Sequence, residues 1–461
     1  MVNHIRADIA NKKIVILISL DIEGAFDSAW WPAIKCGLFS KKCPPNILRL
    51  VDSYLSDRTV EVRYAGQKYE IETTKGCIQG SIAGPTFWNI LLDPLLAEVE
   101  DYGIHVQAFA DDIVLTISGT QTKKIESKAR EVLDHVYEWG VKNKLKFAPH
   151  KTQAMVITKK LKFDTPLIHM GGRPIELVEK IKILGVTIDR KLTFNEHIRT
   201  TIKKVTNIYK PLSRAAKLTW GLNSEIVRTI YTAVAEPIIL YASSVWAKDA
   251  KKWKNQKELH NLQRGFAQKI CKSYRTVSFE AALALAGLLP LEMRLAKAAT
   301  QNNKTSPVYN SLPISSLKSI IRAETVAQWD EKYRTSEKGK VTKIFLPSIP
   351  IAYKFINKVA LKPVLTQALT GHGGYAEYLA RFKCTTSSGC ICDPEAEETI
   401  IHLITECPRF SIARCDLENQ TNLNVTIENL CKLLTDKEHQ KIFIAFCTYV
   451  TKTVNKRHST K

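Results

Sequence analysis

Apolar runs separated by short polar turns mark the first part of the chain. A continuous apolar run over residues 14–20 ends in Asp21, which predicts a strand buried on both faces with a carboxylate at its C-terminal end. Two further runs, residues 104–107 and 113–117, flank Phe109, Ala110, Asp111 and Asp112. This arrangement predicts a hairpin with two adjacent carboxylates at its tip.

Helical spacing appears around these strands and dominates the rest of the chain. Helices are predicted at residues 31 onward, at 86–100 and at 125–137, the last with an apolar stripe that would cover the sheet. Residues 181–189 predict one more strand. Beyond Phe194, basic helices are predicted near residues 198–212, 224–240 and 251–272, whereas residues 301–317 and 331–343 are polar and predict linkers or mobile loops.

The acidic residues have an ordinary interpretation and a functional one. A doubled Asp in a turn is commonly a solvated hairpin tip, and a lone Asp21 is commonly a turn or helix-cap residue. Adjacent like charges are favourable only beside a cation, and hard divalent ions take carboxylate oxygens as ligands. Asp111 and Asp112 therefore suggest a metal site that needs a third carboxylate, for which Asp21 is the candidate.

A glycine-rich segment lies between the two acidic sites. It runs from Gly76 to Pro85, contains Gln79, Gly80 and Ser81, and leads into a predicted helix. Bare backbone before a helix lets a ligand approach the amides closely. Ser81 has an equally good interpretation as an N-terminal helix cap.

Composition agrees with a polynucleotide partner. The chain has 461 residues, with 67 Lys and Arg against 45 Asp and Glu, a net charge of +22. Such an excess of positive charge is typical of phosphate binding. No run approaches the length of a membrane span and no apolar leader follows Met1, so an intracellular protein without membrane contact is expected.

Cysteines concentrate near the C-terminus. Cys390, Cys392, His402 and Cys407 have ligand types that Zn²⁺ takes tetrahedrally, and a reducing compartment disfavours disulfides. Cys384 is an alternative ligand, and scattered core cysteines without metal are the other interpretation. The remaining late cysteines, Cys415, Cys431 and Cys447, are interpreted as core or free thiols.

Four segments in order resemble the palm motifs A to D of reverse transcriptases. They are Asp21 to Phe26, Gly76 to Pro85, Phe109 to Asp112, and Pro149 to Thr152. The motif Phe-Ala-Asp-Asp is similar to that of non-LTR retrotransposon reverse transcriptases. The sequence of residues 20–27, followed by Trp30-Trp31-Pro32, resembles that of the arthropod type-1 elements that insert into ribosomal RNA genes. The Cys/His segment, together with residues 369–373 and 378–382, resembles the C-terminal zinc motif of the same elements. Its Cys-x-Cys start departs from the Cys-x2-Cys of retroviral zinc knuckles.

The resemblance implies a role for each site residue. Asp21 and Asp111 would hold two Mg²⁺ ions, with Asp112 a supporting ligand and the Ile22 carbonyl helping to hold the metal on the nucleotide side. Phe26 would be the steric gate against ribonucleotides, and the alternative is that it simply packs in the core. Gln79 and Gly80 would contact nucleotide and template, and Lys151 would protonate the departing pyrophosphate unless it is an ordinary surface lysine. One Zn²⁺ would occupy Cys390, Cys392, His402 and Cys407.

The implied fold is α+β: a palm with an antiparallel sheet packed on helices, truncated fingers, a helical thumb and a small zinc-binding C-terminal domain. The expected boundaries are 1–190, 191–300, 301–345 and 346–461. A solvated basic helical bundle is the alternative for the thumb. Because few residues precede Asp21, a fragment is expected, without most of the fingers, the upstream endonuclease or an RNase H domain.

The implied function is RNA-directed DNA polymerisation by target-primed reverse transcription. Its partners would be an RNA template, a DNA primer or target DNA, and deoxynucleoside triphosphates, in the nucleus at the site of integration. One alternative is an inactive or domesticated copy that only binds nucleic acid. Another is a group II intron maturase or telomerase-like polymerase, neither of which explains the Cys/His segment. Target site and oligomeric state stay open.

Overall fold

The computed structural model describes residues 1–78, 80–218, 220–302 and 314–459. The chain forms two compact units, Met1–His197 and Ile198–Lys461. The first unit mixes strands with helices, and the second is built from helices.

The first unit is organised around a five-stranded sheet. Its order is β11-β8-β1-β6-β5, antiparallel at every step except β11–β8. The central strand β1 is flanked on both sides and six of its seven residues are buried, as its apolar run predicts. The strands of the unit are β1 (Ile14–Leu20), β2 (Ile22–Glu23), β3 (Thr59–Tyr64), β4 (Gln67–Glu72), β5 (His105–Phe109), β6 (Asp112–Gly119), β7 (Lys146–Phe147), β8 (Gln153–Ile157), β9 (His169–Met170), β10 (Arg173–Pro174), β11 (Glu176–Leu177), β12 (Lys180–Ile183) and β13 (Val186–Asp189).

Helices pack on this sheet through apolar stripes. The predicted stripe of the long helix over residues 122–142 is buried at Ile125, Ala129, Val132, Leu133 and Val136, and this helix contacts β6. The apolar face predicted from the 3.6-residue period therefore packs against the sheet. The helices of the unit are α1 (Val2–Ala10), α2 (Trp31–Ser40), α3 (Pro45–Leu55), α4 (Gly84–Asp101) and α5 (Thr122–Lys142).

The single strand predicted over residues 181–189 is wrong. The segment is a hairpin, β12 and β13, whose closing pair is Ile183 and Val186. Leu184 and Gly185 form the turn, both with positive φ (45° and 79°). A tight two-residue hairpin turn requires two residues in the left-handed conformation. Leucine seldom adopts this conformation, so the sequence around Leu184 did not indicate a turn.

The second unit is helical throughout its described part. The predicted helix at 224–240 contains a wider π-helical stretch, Tyr231–Ala235, in its middle. The basic residues Lys203, Lys204 and Lys210 of the first helix are exposed while Val205 is buried. The helices are α6 (Asn195–Ala215, which begins in the first unit), α7 (Ser224–Ile230), α8 (Glu236–Leu240), α9 (Ser243–Ala250), α10 (Trp253–Ile270), α11 (Phe279–Ala286), α12 (Leu291–Asn302), α13 (Ile314–Thr335), α14 (Lys340–Phe345), α15 (Ile349–Ile356), α16 (Pro363–Thr370), α17 (Ala376–Arg381), α18 (Ile400–Thr405), α19 (Ser411–Thr421), α20 (Leu430–Thr435) and α21 (Gln440–Ser459).

The linkers predicted in this unit are corrected in part. Residues 331–335 end α13 and residues 340–343 begin α14, so most of the segment predicted as a loop is helical. Trp329 and Tyr333, one helical turn apart, are fully buried, and the Tyr333 hydroxyl donates to the Leu346 carbonyl at 2.9 Å. Burial of these two aromatic side chains therefore stabilises a helix here, although most residues around them are charged. Of the other predicted linker, residues 303–313 lie outside the described part, and residue 314 already begins a helix.

No single helix in the described ranges is both long and apolar enough to cross a membrane. The bent pair of residues 224–240 and 243–250 meets the criteria of length and composition only when both helices are taken together.

Candidate active site and Cys/His cluster

The three acidic residues come together at one end of the central sheet. Strand β1 runs antiparallel to β6, and Leu20 pairs with Ile113, so Asp21 emerges beside Asp112. The pKa of Asp112 is raised, first by partial loss of hydration at the surface of the site and then by the negative charges of Asp111 and Asp21. Such mutual repulsion is what a cation relieves, and carboxylate oxygens are the ligands that hard divalent ions take.

The backbone around Asp21 is held by the loop before β8. The Asp21 amide donates to the Thr152 hydroxyl at 3.3 Å, and its carbonyl accepts from the Ala148 amide at 2.9 Å. The Lys151 ammonium lies 3.9 Å from the Asp21 carboxylate. The structure therefore places the predicted Lys151 at the acidic site, with its side chain about half exposed.

The hairpin tip is a two-residue turn. Phe109 pairs with Asp112 across it, leaving Ala110 and Asp111 as the turn residues. Ala110 adopts a positive φ of 53°, which costs a non-glycine residue about 1 kcal/mol. The Trp88 indole N–H, on α4, donates to the Ala110 carbonyl at 2.8 Å. This hydrogen bond holds the turn that carries Asp111.

The same tryptophan supports Phe26. The two rings stack with centroids 5.0 Å apart and an interplanar angle of 20°. Phe26 is half-buried, so it packs against the core on one side and keeps part of its ring accessible. The two interpretations of Phe26 are therefore compatible. The role of Trp88 does not show in the sequence, because a buried tryptophan in an apolar helix is typical of an ordinary core residue.

The glycine-rich segment runs directly beside Phe26. The Cys77 amide donates to the Phe26 carbonyl at 2.7 Å, and the Gly76 amide donates to the Ala29 carbonyl at 2.8 Å. Gly76 has a φ of 107°, and a Cβ there would stand 3.3 Å from the Asp27 carbonyl oxygen. Close backbone approach explains why a glycine occupies this position.

The other predicted nucleotide contacts follow this segment. Gly80 has a positive φ of 86° and open space around it, whereas Gln79 lies outside the described residues. The Ser81 hydroxyl accepts from the Ala83 amide at 3.2 Å in the turn before α4. The N-cap of α4 is Ala83, without a side-chain cap hydrogen bond, so the interpretation of Ser81 as the helix cap is wrong. Ile22 is buried in β2, where it pairs with Phe147.

A second cluster lies in the helical unit. The donor atoms of Cys390, Cys392, His402 and Cys407 all lie within 4.8 Å of one another. The Cys392 sulfur is 3.2 Å from that of Cys390 and 3.3 Å from His402 Nε2, and the sulfurs of Cys390 and Cys407 are 3.8 Å apart. Three thiols and an imidazole at these distances could bind a metal ion.

Local structure explains the convergence. The Cys390 amide donates to the Ala396 carbonyl at 2.7 Å, closing a tight loop. His402 lies on α18, whose first turn is capped by the Thr399 hydroxyl. The Cys407 amide then donates to the His402 carbonyl at 2.9 Å. Burial and the neighbouring thiols raise the pKa of Cys392 to about 12, so a cation is needed before all three sulfurs ionise.

Residues around the cluster hold it in place. His402 Nδ1 lies 3.4 Å from the Glu406 carboxylate, leaving Nε2 toward the thiols. Glu398 is fully buried and accepts from Arg409 at 3.0 Å and Arg457 at 2.8 Å. Its other oxygen accepts from the Ala376 amide. Cys384 is exposed and lies outside the four-residue cluster. The supporting role of Glu398 does not show in the sequence, because one of its two arginine partners, Arg457, lies 59 residues further along the chain.

Comparison with known proteins agrees with this geometry. Residues 3–188 match the family model described as reverse transcriptase (RNA-dependent DNA polymerase). These residues form a reverse transcriptase domain. The matched range contains Asp21, Asp111 and Asp112, and the domain has the mixed helix and sheet of the reverse transcriptase fold.

The similarity to retrotransposon proteins extends along most of the chain. A putative 115 kDa protein in the Drosophila melanogaster type-1 retrotransposable element R1DM is 27% identical over 408 residues, which is 86% of this chain and 39% of that protein. The R1 Pol polyprotein of Bradysia coprophila is 26% identical over 90% of this chain and 42% of its own length. The predicted resemblance to non-LTR retrotransposon reverse transcriptases is therefore confirmed, and the chain spans about two fifths of these relatives.

A relative matched over a smaller share of the chain is the RNA-directed DNA polymerase from the Drosophila melanogaster mobile element jockey. It is 27% identical over 56% of this chain and 28% of its own length. Among solved structures, Candida tropicalis telomerase in complex with a fragment of telomeric RNA matches 70% of this chain and 52% of that chain. Its identity is 14% and its TM-score 0.34, too low to support an argument.

Proposed function

We propose that this chain carries the polymerase of a non-LTR retrotransposon and copies element RNA into DNA from a 3′-hydroxyl of nicked target DNA. The observation that carries the proposal is the convergence of Asp21, Asp111 and Asp112 beside Phe26 at one end of the sheet. The setting would be the nucleus, at the site of integration.

The acidic site fits two Mg²⁺ ions. Asp21 and Asp111 would bind both ions, and Asp112 would be a supporting ligand. The negative charges of Asp111 and Asp21 help to raise the pKa of Asp112, and bound cations would relieve this repulsion. Bound there, the ions would stabilise the attacking and leaving oxygens of an in-line displacement. The primer 3′-hydroxyl would lose its proton to solvent as its oxygen bonds to the α-phosphorus, and the bond from that phosphorus to the bridging oxygen would break to release pyrophosphate.

The chain's own residues would supply proton transfer and selection. Lys151, 3.9 Å from Asp21, would donate a proton to the departing pyrophosphate. Phe26, fixed by its stacking on Trp88, would meet the 2′-hydroxyl of a ribonucleotide. Ile22, Gln79 and Gly80 would contact the incoming nucleotide and the template through backbone or amide groups.

The Cys/His cluster fits one Zn²⁺. Cys390, Cys392, His402 and Cys407 supply four donors, and four protein ligands would leave a bound Zn²⁺ without an open position for substrate. The ion would therefore stabilise the fold around the cluster rather than act on substrate. Metal analysis of the purified chain should find about one zinc per molecule.

Primer extension on an RNA template tests the polymerase proposal. The chain should extend a DNA primer with deoxynucleotides in Mg²⁺, and a chain with both Asp111→Ala and Asp112→Ala should not. Equal extension by both proteins would contradict the proposal. Absence of extension in both, with RNA binding retained, would favour a chain that only binds nucleic acid.

The gate has its own test. Phe26→Ala removes the ring that would meet the 2′-hydroxyl and should raise incorporation of ribonucleotides relative to deoxynucleotides by at least about tenfold, since about 1.4 kcal/mol of discrimination corresponds to that factor. Single-nucleotide incorporation with matched dNTP and rNTP measures the ratio. An unchanged ratio would leave Phe26 as a core residue only.

A further inference from the structure

Four rings and a guanidinium form an ordered surface cluster in the helical unit. The aromatic platform, as we name it, comprises His372, Tyr378, Arg381 and Phe382, with Tyr274 stacked behind Tyr378 at 6.3 Å. The ring of Tyr378 lies 4.9 Å from that of His372 and 5.0 Å from that of Phe382. Arg381 lies over both rings, 5.5 Å from Tyr378 and 5.3 Å from Phe382.

A hydrogen-bond network fixes the inner part of the platform. The Thr276 hydroxyl lies 2.8 Å from His372 Nδ1 and 2.9 Å from the Tyr378 hydroxyl. Arg381 donates to His372 Nε2 at 3.4 Å, which leaves the imidazole proton on Nδ1 toward Thr276. Burial lowers the pKa of His372 to about 4, so the imidazole stays neutral at pH 7. The imidazole therefore adds no second positive charge beside Arg381.

The outer part of the platform faces solvent. Phe382 is 45% exposed, so burial does not account for a large aromatic residue at this position. The Arg381 side chain is half exposed, and its acidic neighbour Glu377 stands 3.8 Å away. A pre-ordered aromatic face combined with an accessible cation is a surface suited to a flat ligand with negative charge.

Positive charge lines the space in front of the platform. A cavity of about 360 Å³ is lined by Lys338, Lys340, His372, Arg381 and Phe382. A neighbouring cavity of about 490 Å³ shares Thr276, Ser278 and Lys338 with the first, and adds Lys257 and Arg264. The acids of this lining are Glu280 and Glu337. The five cations of the two linings therefore outnumber the two acids, and they extend across both cavities.

We propose that the aromatic platform binds a single-stranded nucleic acid, with one base stacked on Phe382 and adjacent phosphates on Arg381, Lys338 and Lys340. Single-strand sites combine a basic groove with aromatic side chains on which unpaired bases stack. A duplex keeps its bases stacked on one another and offers no free face to Phe382. This binding site goes beyond the proposed polymerase activity and uses none of its residues.

Binding of fluorescent oligonucleotides to the full chain tests the site. The chain should carry Asp111→Ala and Asp112→Ala, so that a failure of the polymerase proposal does not alter the result. Phe382→Ala should weaken binding of a single-stranded oligonucleotide by about tenfold, the effect of losing one stacked base. Phe382→Trp should restore it. RNA and DNA strands of one sequence identify which sugar is preferred, and a tenfold loss for either supports the proposal.

Salt dependence separates stacking from charge. Lys338→Ala with Lys340→Ala should reduce the slope of log K against log salt by about 0.7 for each phosphate that is no longer neutralised, whereas Phe382→Ala should leave the slope unchanged. The matched controls are Tyr449→Ala, an exposed aromatic residue of the same unit, and Lys452→Ala, an exposed lysine on the same helix as Tyr449. Neither control should change single-strand affinity by more than about twofold.

Three results would overturn the proposal. They are an affinity of Phe382→Ala equal to that of the parent chain, an equal loss of affinity in Tyr449→Ala, and a loss of duplex binding in Phe382→Ala as large as its loss of single-strand binding. A 2-aminopurine base in the oligonucleotide provides a second readout, because stacking on an aromatic ring quenches its fluorescence. Quenching that survives Phe382→Ala would place the base elsewhere.

Discussion

The acidic site of the first unit and the Cys/His cluster of the second gather their donors in opposite ways. Asp21 comes from the end of β1 and Asp111 with Asp112 from a distant hairpin, so a sheet must form before the three meet. The Cys/His donors come from residues 390–407, within one loop, one short helix and the turn that follows it. One site depends on long-range strand pairing, and the other is almost entirely local.

The two sites differ in exposure as well. Asp111 and Asp112 are exposed, and Asp21 is half-buried, whereas Cys390 and Cys407 are buried. An open ring of hard oxygen donors suits exchangeable ions that act on substrate, and a closed set of soft donors suits an ion that stabilises a fold. We therefore expect substitutions at the first site to change activity and those at the second to change stability.

Asp21→Asn should give the largest effect on activity. It removes a proposed ligand of the metal ions that would stabilise the transition state by several kcal/mol. Primer extension should therefore fall about 1,000-fold or more. The melting temperature should stay the same or rise slightly, because one of three repelling carboxylates is gone. Primer extension and thermal unfolding of the same preparation measure both. A large drop in melting temperature would mean that the acidic site also stabilises the fold.

Cys392→Ser should give the converse result. Loss of one donor should release the proposed zinc and destabilise the helical unit by several kcal/mol, since metal binding in such sites is coupled to folding. Metal analysis and thermal unfolding with and without a chelator provide the measurement. Cys415→Ser, an exposed cysteine outside the cluster, is the matched control. Equal stability of the two variants, or full metal content in Cys392→Ser, would contradict the assignment.

Trp88→Phe sharpens the comparison within the acidic site. It keeps a ring to stack on Phe26 and deletes the hydrogen bond to the Ala110 carbonyl, which is worth about 1 kcal/mol. We expect kcat for primer extension to fall about fivefold, with little change in KM for the nucleotide. Phe87→Leu, the buried neighbour on α4, is the control. If both variants lower kcat equally, Trp88 acts through general packing.

His372 gives the smallest effect, visible in the pH dependence of stability. Its pKa is about 4 in the folded chain, because of burial and then of Arg381 and Arg264, against about 6.5 when exposed. The unfolded chain therefore binds more protons between these values, so the contribution of His372 is complete above about pH 6.5 and is lost as pH falls toward 4. His372→Gln should show a shallower fall in unfolding free energy over this range. An identical pH profile would exclude His372 as its source.

Several features followed from the sequence because they are local. The buried strand before Asp21, the hairpin with the carboxylates, and the stripe of the helix over residues 122–142 each rest on a short-range period that packing then satisfied. The reverse transcriptase resemblance also came from short motifs. The hairpin at 180–189 and the helices that end and begin within residues 331–343 were not predicted. A leucine in the left-handed conformation and two buried aromatic residues leave no signal in the spacing of apolar positions.

The sequence by itself determined which residue types are present for each site: three carboxylates near strand ends, and a Cys/His set whose donors lie close along the chain. Only the tertiary structure decided what surrounds them. Trp88 joins Phe26 to the Ala110 carbonyl, and the aromatic platform gathers Thr276 with His372 and Tyr378. These contacts join side chains from distant segments, and pairing of distant segments depends on packing of the whole unit rather than on local pattern.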